Sequence, residues 1–209
     1  MSMREERVRE SLSTSSIEDV VVRGSKVVLR RKRLEDASDD YSWRTDDELA
    51  RLDAASPLKM SFPEYVRYYG STDSWSPWSR QLAIDTLDGN HIGNCMYYDI
   101  DTVRGETEIG IMIGDRHYWN RGYGTDAVRA LLEHVFTTTD LRRVYLHTLE
   151  WNVRAQRSFL KSGFTRVKLT QRDGQTFVQM ELWRGQWERY RRERFSGTSA
   201  DGVGQAHSG

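Results

Sequence analysis

The stretch ETEIGIMIGDRHYWNRGYGTDA, residues 106–127, decides how this chain is expected to fold. Its first part, up to Gly114, has the apolar and small residues of a strand, and a loop of polar and aromatic residues follows. Gly122 and Gly124 then open a segment with helical periodicity. A strand, a glycine-rich loop and a helix N-terminus form an anion site, because backbone N–H groups and the helix dipole converge there and glycines let a phosphate approach. The sequence therefore predicts a phosphorylated cofactor at this loop.

Three phosphate-binding patterns compete for this loop. A P-loop requires G-x-x-x-x-G-K-[ST], a string that the sequence lacks. A dinucleotide fingerprint, G-x-G-x-x-G/A, is satisfied by Gly122, Gly124 and Ala127, which leaves a dinucleotide-binding oxidoreductase open. That fingerprint usually lies in the first βαβ unit, whereas this motif lies past the middle of the chain. The third pattern is an acyl-CoA loop, written R/Q-x-x-G-x-G/A.

A second motif accompanies the third pattern in the expected order. The string YWNRGYGTDAVRALLEHVF, residues 118–136, is followed by LRRVYLHTLEWNVRAQRSFLKSGF, residues 141–164. Together they resemble the RimJ/RimL-type branch of the GNAT acyltransferase superfamily, over about residues 26–185. One departure is visible: the R/Q position falls on Trp119, although Arg121 lies inside the loop.

The resemblance implies a fold, a reaction and an assembly. The implied α/β (α+β) fold is a mixed, mostly antiparallel sheet of about six to seven strands with helices on both faces, which the order of the predicted elements also favours. The implied reaction is transfer of an acetyl group from acetyl-CoA to a primary amine, by direct attack in a ternary complex. The acceptor is then a protein N-terminus, a polyamine, an aminoglycoside or another small amine, and the enzyme is a homodimer.

The resemblance also assigns an acyl-CoA site. Backbone amides from about Arg121 to Asp126 are expected to bind the pyrophosphate, and the strand around Ile111–Ile113 is expected to pair with the pantetheine arm. One amide of that strand can polarise the thioester carbonyl. The predicted cofactor-binding residues are Ile111, Met112, Ile113, Trp119, Asn120, Arg121, Gly122, Tyr123, Gly124, Thr125, Asp126, Asn152 and Phe159.

The general base has several candidates. A protonated amine cannot attack, so a carboxylate acting directly or through water is expected. Glu106, Glu108, Asp99 and Glu150 are candidates, and the resemblance favours Glu108. The alternative for Glu108 is a solvent-facing strand residue in a salt bridge.

Two further catalytic residues are predicted near the second motif. Asn152 corresponds to a family asparagine that orders a water or bonds the pantetheine, and it is also a favoured helix N-cap. Many family members carry a tyrosine that protonates the leaving thiolate where this chain has Phe159. Ser158, Tyr123 or water could donate instead, and Ser158 could equally be an ordinary surface serine. This departure keeps an acyl-CoA-binding module without turnover as a rival function.

Composition excludes several other classes of protein. The 209 residues suit one domain, and 31 Lys plus Arg against 31 Asp plus Glu give no general attraction to nucleic acid or an anionic membrane. Cys95 is the only cysteine, and the five histidines lack metal-binding spacing, so no metal is predicted. The sequence has no secretory signal and no apolar run near the roughly 20 residues of a membrane helix, which makes the cytoplasm the default compartment.

Composition along the chain predicts a flexible segment (1–18) and a disordered tail (196–209). The resemblance implies that residues 19–195 between them form a single GNAT N-acetyltransferase domain. Asp88-Gly89 is a hairpin signal, and the segment 45–80 is expected to line the acceptor pocket. Predicted strands cover 26–31, 81–86, 91–100, 107–113, 143–149 and 177–183, and predicted helices cover 34–44, a short stretch from Phe62, 125–138 and 153–162.

Aromatic and acidic residues are further candidates for contact with the acceptor. Trp75, Trp78 and Trp119 could hold a cationic amine by cation–π contact, or they could simply pack. The acidic runs at 39–40 and 46–48 could attract a polycation, or they could be solvated helix faces.

Overall fold

The computed structural model describes residues 19–71 and 76–196. Within these ranges the chain forms eight strands and six α-helices. The strands are β1 Val20–Arg23, β2 Val27–Arg31, β3 Ser79–Thr86, β4 His91–Asp101, β5 Glu106–Ile113, β6 Arg143–Leu149, β7 Thr165–Arg172 and β8 Gln175–Trp183. The helices are α1 Ala37–Thr45, α2 Asp47–Leu52, α3 Phe62–Ser71, α4 Tyr123–Thr138, α5 Val153–Lys161 and α6 Arg184–Ser196.

The strands form one mixed sheet in the order β1-β2-β3-β4-β5-β6-β8-β7. Every neighbouring pair is antiparallel except β5 and β6, which run parallel. The mostly antiparallel GNAT-type sheet is therefore confirmed, with more strands than the six to seven expected. The sequence reading omitted β1 and β7. Strand β7 lies at the edge of the sheet, and its two apolar residues, Val167 and Leu169, are both exposed, so it has no buried face.

Helix α4 packs on one face of this sheet. The residues predicted to form its apolar stripe are all buried in a common core with β2, β4, β5 and β6: Ala127, Val128, Leu131, Leu132, Val135 and Phe136. Full burial of each large apolar side chain contributes about 1.5–3 kcal/mol, so this stripe is the main attachment of α4 to the sheet. Its N-terminus is thereby fixed next to the end of β5.

The opposite face of the sheet carries a buried ionic network beneath α1. Arg30 on β2 donates to Asp36 at 2.7 Å and to Asp85 at 2.6 Å, although its basic run could pass for a solvated strand end. His91 on β4 lies between Asp85 (3.3 Å) and Asp40 (3.4 Å). Burial lowers the pKa of His91, but hydrogen bonds to these two aspartates and the nearby charge of Asp36 outweigh it, so the pKa of His91 is raised. The network thus joins three carboxylates, those of Asp36, Asp40 and Asp85, to three basic side chains. The basic side chains are Arg30, His91 and Lys32, whose ammonium binds Asp40.

Strands β5 and β6 diverge soon after they begin. They pair only at Glu106↔Arg143, Thr107↔Val144 and Glu108↔Tyr145, yet β5 continues to Ile113 and β6 to Leu149. Strand β4 holds the other edge of β5 along its whole length, from Glu106 to Ile113. The backbone of β5 beyond Glu108 thus has a free edge that faces a gap in the sheet.

The predicted helices and strands are present, with shifted ends. A single turn of 3-10 helix, Leu34–Asp36, precedes α1, and Gly163 ends α5 in the left-handed region at φ +99. Helices α2 and α6 lie where no helix was predicted. The segments predicted to be flexible (1–18) and disordered (196–209) lie outside the described residues, except that Ser196 is the last residue of α6.

Candidate active site

A cleft of about 640 Å³ opens at the gap between β5 and β6. Its walls are the end of β5, the loop before α4, the first turns of α4 and α5, and the end of α2. The residues that line it are Leu49, Leu52, Asp53, Ile111, Met112, Ile113, Tyr118, Trp119, Asn120, Gly122, Gly124, Thr125, Asn152, Val153, Arg154, Ala155, Arg157, Ser158, Phe159 and Lys161. All the predicted cofactor residues line this cleft except Arg121, Tyr123 and Asp126.

The glycine-rich loop turns sharply into α4. Asn120 and Gly122 both have left-handed backbones, at φ +57 and φ +86, and the helix begins at Tyr123. The first N–H groups of a helix have no intrahelical acceptor, so those of the first turn are free to bind an anion. A Cβ added at Gly124 would come within 3.7 Å of Ile113, so the helix start lies close to the end of β5. The loop therefore has the form of an anion site that opens onto the cleft.

Asp126 does not fit the predicted cofactor role. Its backbone N–H donates to the Gly122 carbonyl at 3.0 Å, which removes it from the set of free donors. Its carboxylate accepts from the backbone N–H groups of Ser25, Lys26 and Val27, at 3.2, 2.7 and 3.1 Å. The residue lies away from the cleft and fixes the β1–β2 turn to the first turn of α4.

Arg121 and Tyr123 also point elsewhere. The guanidinium of Arg121 donates to the His117 carbonyl at 3.2 Å. The Tyr123 ring packs edge-on against Tyr118, with a centroid separation of 4.9 Å. The backbones of Arg121 and Tyr123 still belong to the anion loop, whereas their side chains contact His117 and Tyr118.

Trp119 anchors the loop to the end of β5. Its indole Nε1 donates to the carbonyl of Ile113 at 2.7 Å. The guanidinium of Arg154 lies 3.5 Å from the centroid of its ring, in cation–π contact. Burial lowers the pKa of Arg154. The tryptophan in the R/Q position therefore supports a cation at the cleft and joins α5 to the loop.

A row of basic side chains on α5 was missed by the sequence reading. Arg154, Arg157 and Lys161 all line the cleft, and they are spaced three and four residues apart, which puts them on one side of the helix. This spacing is visible in the string NVRAQRSFLK and could have identified them. Together with the loop they make this end of the cleft cationic.

The two predicted catalytic residues at α5 both reach the cleft. Asn152 accepts from the Ala155 N–H at 3.2 Å, so its N-cap interpretation holds, and the side chain is buried at the cleft wall. Ser158 Oγ lies 2.9 Å from Thr125 Oγ1, a hydrogen bond that joins α5 to α4. Phe159 is buried and packs edge-on against Phe164 at 5.9 Å between centroids.

Glu108 is buried at the point where β5 and β6 separate. It is the last residue of β5 that pairs with β6, and 8% of its side chain is exposed. The alternative of a solvent-facing residue is therefore wrong. Its Oε1 lies 2.8 Å from Nδ1 of His147. Desolvation, followed by the nearby charge of Glu108, raises the pKa of Tyr98.

The other three candidate bases are either held in an ion pair or exposed to solvent. Glu106 forms an ion pair with Arg143 at 2.6 Å, and Asp99 and Glu150 are exposed. Asp99 lies in a bulge of β4 with a left-handed backbone at φ +50. Among the four carboxylates, Glu108 alone combines burial with a position at the divergence of the strands.

Helix α2 contributes a carboxylate that no motif indicated. Asp53 follows α2 and lines the cleft with Leu49 and Leu52. Desolvation raises its pKa, and the charge of Arg44 only partly opposes this. Asp53 is nevertheless exposed, and among the described residues its carboxylate forms no hydrogen bond or ion pair, so it is available to a cation in the cleft.

The aromatic and acidic segments fall mostly outside this site. Trp78 is exposed and does not line the cleft, and Trp75 lies outside the described residues. Asp46 and Glu48 bind Arg116 at 2.7 and 3.0 Å on the surface. No group of three or more potential metal ligands occurs in residues 19–71 and 76–196. None of the helices in those ranges has both the length and the apolar character that a membrane crossing requires.

Comparisons with known proteins agree on one family. A model of the acetyltransferase (GNAT) domain matches residues 26–165. The probable spermine N(1)-acetyltransferase of Bacillus subtilis subsp. natto is 30% identical over 82 residues, which are 37% of this chain and 54% of that protein. The human alpha/beta-tubulin-N-acetyltransferase 9 is 28% identical over 167 residues, covering 72% of this chain and 77% of that protein.

A solved structure has the same fold. The spermidine N-acetyltransferase from Vibrio cholerae, in complex with CoA and spermine, superposes with a TM-score of 0.68. The match covers 78% of this chain and 99% of that one, at 18% sequence identity. At this identity the likeness concerns the fold.

Proposed function

Since the chain belongs to the GNAT acetyltransferase family and is an acyl-CoA-dependent N-acetyltransferase, we propose that it acetylates a primary amine of a small cationic acceptor in the cleft beside β5. The observation that carries this proposal is the divergence of β5 from β6 next to a cationic loop and helix. Extended acetyl-CoA has its phosphates at one end and its acyl group at the other. The cleft offers positive charge for the phosphates and the free edge of β5 for the rest of the molecule.

The phosphate end of acetyl-CoA is assigned to the loop and to α5. Free N–H groups between Gly122 and Thr125 bind the pyrophosphate, and Arg154, Arg157 and Lys161 supply positive charge beside it. The arm then lies along the free edge of Ile111–Ile113, where it can form backbone hydrogen bonds as an added strand. An amide of the same edge polarises the thioester carbonyl.

The acceptor end is assigned to two carboxylates. Asp53 lines the cleft, whereas Glu108 does not line it and is buried where β5 and β6 separate. Both disfavour an anionic acceptor, and the unpaired carboxylate of Asp53 favours an ammonium group. The relative from Bacillus subtilis subsp. natto is named for spermine, an amine of this kind. A polyamine or aminoglycoside therefore fits this site better than a neutral or acidic acceptor.

The proposed chemistry is direct attack. The neutral amine forms a C–N bond to the thioester carbonyl, Glu108 takes the proton that the amine loses, and the C–S bond then breaks. Ser158 or water returns a proton to the thiolate, because Phe159 has no hydroxyl. Burial raises the pKa of Cys95 to about 12, which makes it a poor nucleophile and argues against a covalent acyl-enzyme.

The proposal also covers the branch of the family, the compartment, the assembly and the acceptor. We assign the chain to the RimJ/RimL-type branch on its two motifs, as a cytoplasmic homodimer with one catalytic domain over residues 19–195. A protein N-terminus remains an acceptor candidate, because the human relative is named for acetylation of tubulin.

The test is release of free thiol from acetyl-CoA with the full chain and a panel of amines, with the product confirmed by mass spectrometry. Polyamines, aminoglycosides, N-terminal peptides and amino acids form the panel. Stimulation by polyamines or aminoglycosides is expected, whereas stimulation by peptides alone would overturn the small cationic acceptor. Tight binding of acetyl-CoA without transfer to any amine would favour the acyl-CoA-binding module.

A further inference from the structure

We propose that His147 is a positioning residue for the reaction: its Nδ1–H holds the Glu108 carboxylate in place at the divergence of β5 and β6, and Arg172 fixes the imidazole in that tautomer. This inference rests on the proposed function, in which Glu108 takes the proton of the acceptor amine. It adds to that site two residues from β6 and β7 that no motif indicated.

Hydrogen-bond chemistry assigns the tautomer of His147. Arg172 Nη2 lies 3.2 Å from Nε2 of the imidazole, and a guanidinium can only donate. Nε2 is therefore the acceptor, and the ring proton is on Nδ1, which lies 2.8 Å from Glu108 Oε1. Protonation of Nε2 would place two donors and two positive charges opposite each other, so Arg172 opposes the imidazolium form.

This assignment distinguishes a positioning role from a proton relay. A histidine that accepted the proton from Glu108 would need a free lone pair on Nδ1, but Nδ1 already carries the proton that it donates to the carboxylate. The imidazole therefore stabilises Glu108 in its ionised form and fixes its orientation. Its side chain is 8% exposed, as is that of Glu108, so water cannot easily replace the donor.

Other charged and titratable groups face the same carboxylate. On β4, desolvation and then the charges of Glu108 and Asp99 raise the pKa of Tyr98. Tyr145 on β6 is affected by the same two carboxylates and by Glu106, and desolvation is again the largest cause of its raised pKa. Arg143 neutralises Glu106 and Glu181, at 2.6 and 2.7 Å. The hydrogen bond to the Glu108 carboxylate thus comes from the neutral imidazole of His147.

The test compares His147→Ala with His147→Asn in the full chain. The asparagine amide lies near the position of Nδ1 and can donate, but it cannot titrate. We expect His147→Ala to lower kcat by about 10- to 100-fold, the effect of one hydrogen bond to a charged group, with little change in KM. We also expect the acidic limb of its kcat/KM profile to move to higher pH, because the carboxylate loses a donor. His147→Asn should restore kcat to within about threefold of wild type.

The control is Gln179→Ala, which truncates the cross-strand neighbour of His147 on β8 and leaves the donor to Glu108 intact. It should keep the wild-type kcat, and thermal unfolding should show that all variants are folded. Wild-type kcat and pH profile in His147→Ala would overturn the inference. Equal loss in both His147 variants would also overturn it, because the imidazole itself would then be needed.

Arg172→Met tests the tautomer separately. Without the guanidinium the neutral imidazole can adopt either tautomer, and the one with its proton on Nε2 no longer donates to Glu108, so kcat is expected to fall by a smaller factor than in His147→Ala. An unchanged kcat would refute the role of Arg172. If the wild-type protein acetylates no amine, the proposed function fails, whereas an active wild type with unaffected His147 variants refutes this inference alone.

Discussion

Replacement of Asp126 should destabilise the whole domain through the turn that it holds. Its carboxylate accepts three backbone N–H groups, from Ser25, Lys26 and Val27, across about a hundred positions of sequence. The bond to Val27 is buried, and the other two are partly buried. Asp126 also lies in the first turn of α4, where a negative charge interacts favourably with the helix dipole.

The magnitude follows from these contacts. Asp126→Ala leaves the buried N–H of Val27 without an acceptor, which costs about 1–3 kcal/mol, and it loses two charge-assisted bonds that water partly replaces. The helix dipole adds roughly 0.3–1 kcal/mol. We therefore expect a loss of about 3–4 kcal/mol for Asp126→Ala. Asp126→Asn should lose about 2 kcal/mol, because its amide oxygen still accepts one bond.

The assay is urea denaturation followed by circular dichroism, with thermal unfolding as a second measurement. At roughly 2–4 °C per kcal/mol, Asp126→Asn should lower Tm by about 4–8 °C. Asp140→Asn is the matched control, since Asp140 is exposed beyond the other end of α4 and should change stability by less than about 0.5 kcal/mol. A loss below about 1 kcal/mol in Asp126→Ala would refute the reasoning, since it would mean that the turn finds other acceptors.

Three further perturbations test other parts of the structure. The paired aspartates raise the pKa of His91 in the folded state, so the stability it contributes is complete below the ordinary histidine range near pH 6.5 and is lost as pH rises through its raised value. The difference in unfolding free energy between wild type and His91→Asn, measured by urea titration, should therefore shrink as the pH is raised, and a difference that grew would contradict the pairing. Gly114→Ala should cost about 2–3 kcal/mol in a denaturation curve, because its Cβ would lie 2.1 Å from the Trp43 ring, whereas Gly110→Ala meets its nearest neighbour at 3.4 Å and should be much milder. Arg157→Gln should raise KM for acetyl-CoA about 5- to 10-fold with kcat unchanged, and the effect should fall at high salt; an unaltered KM would remove Arg157 from the phosphate site.

Local signals in the sequence were reliable where one short segment fixes its own conformation. The glycine-rich opening of a helix at Gly122, the apolar stripe along that helix and the Asp-Gly hairpin were predicted from neighbouring residues, and the structure has each of them. The family resemblance placed the cofactor loop and β5 in one cleft. The N-cap role of Asn152 was also predicted, because capping depends on residues within one turn.

Errors of the sequence reading arose where a residue's partner is remote in the chain. Arg30 looks like part of a solvated basic run, but Asp85 from another strand buries it in an ion pair. Asp126 looks like part of the anion loop, but the β1–β2 turn takes its carboxylate. Strand β7 has only two apolar residues, Val167 and Leu169, and both are exposed, because at the sheet edge it forms by pairing with β8 and not by burial.

The sequence by itself predicted the order of helices and strands and an anion loop at Gly122 and Gly124, because turn chemistry and helical periodicity act over a few residues. The family resemblance added the class of fold, which is confirmed, and Glu108 as the candidate base, which stays a prediction. Only the tertiary structure decided what surrounds that base. Glu108, His147 and Arg172 come from β5, β6 and β7, with 39 and 25 positions between successive partners. Glu108 and His147 meet because β5 and β6 are neighbours in the sheet, whereas Arg172 comes from β7, which β8 separates from β6. These contacts depend on strand order and register, and pairing across a sheet leaves no periodic trace in the chain.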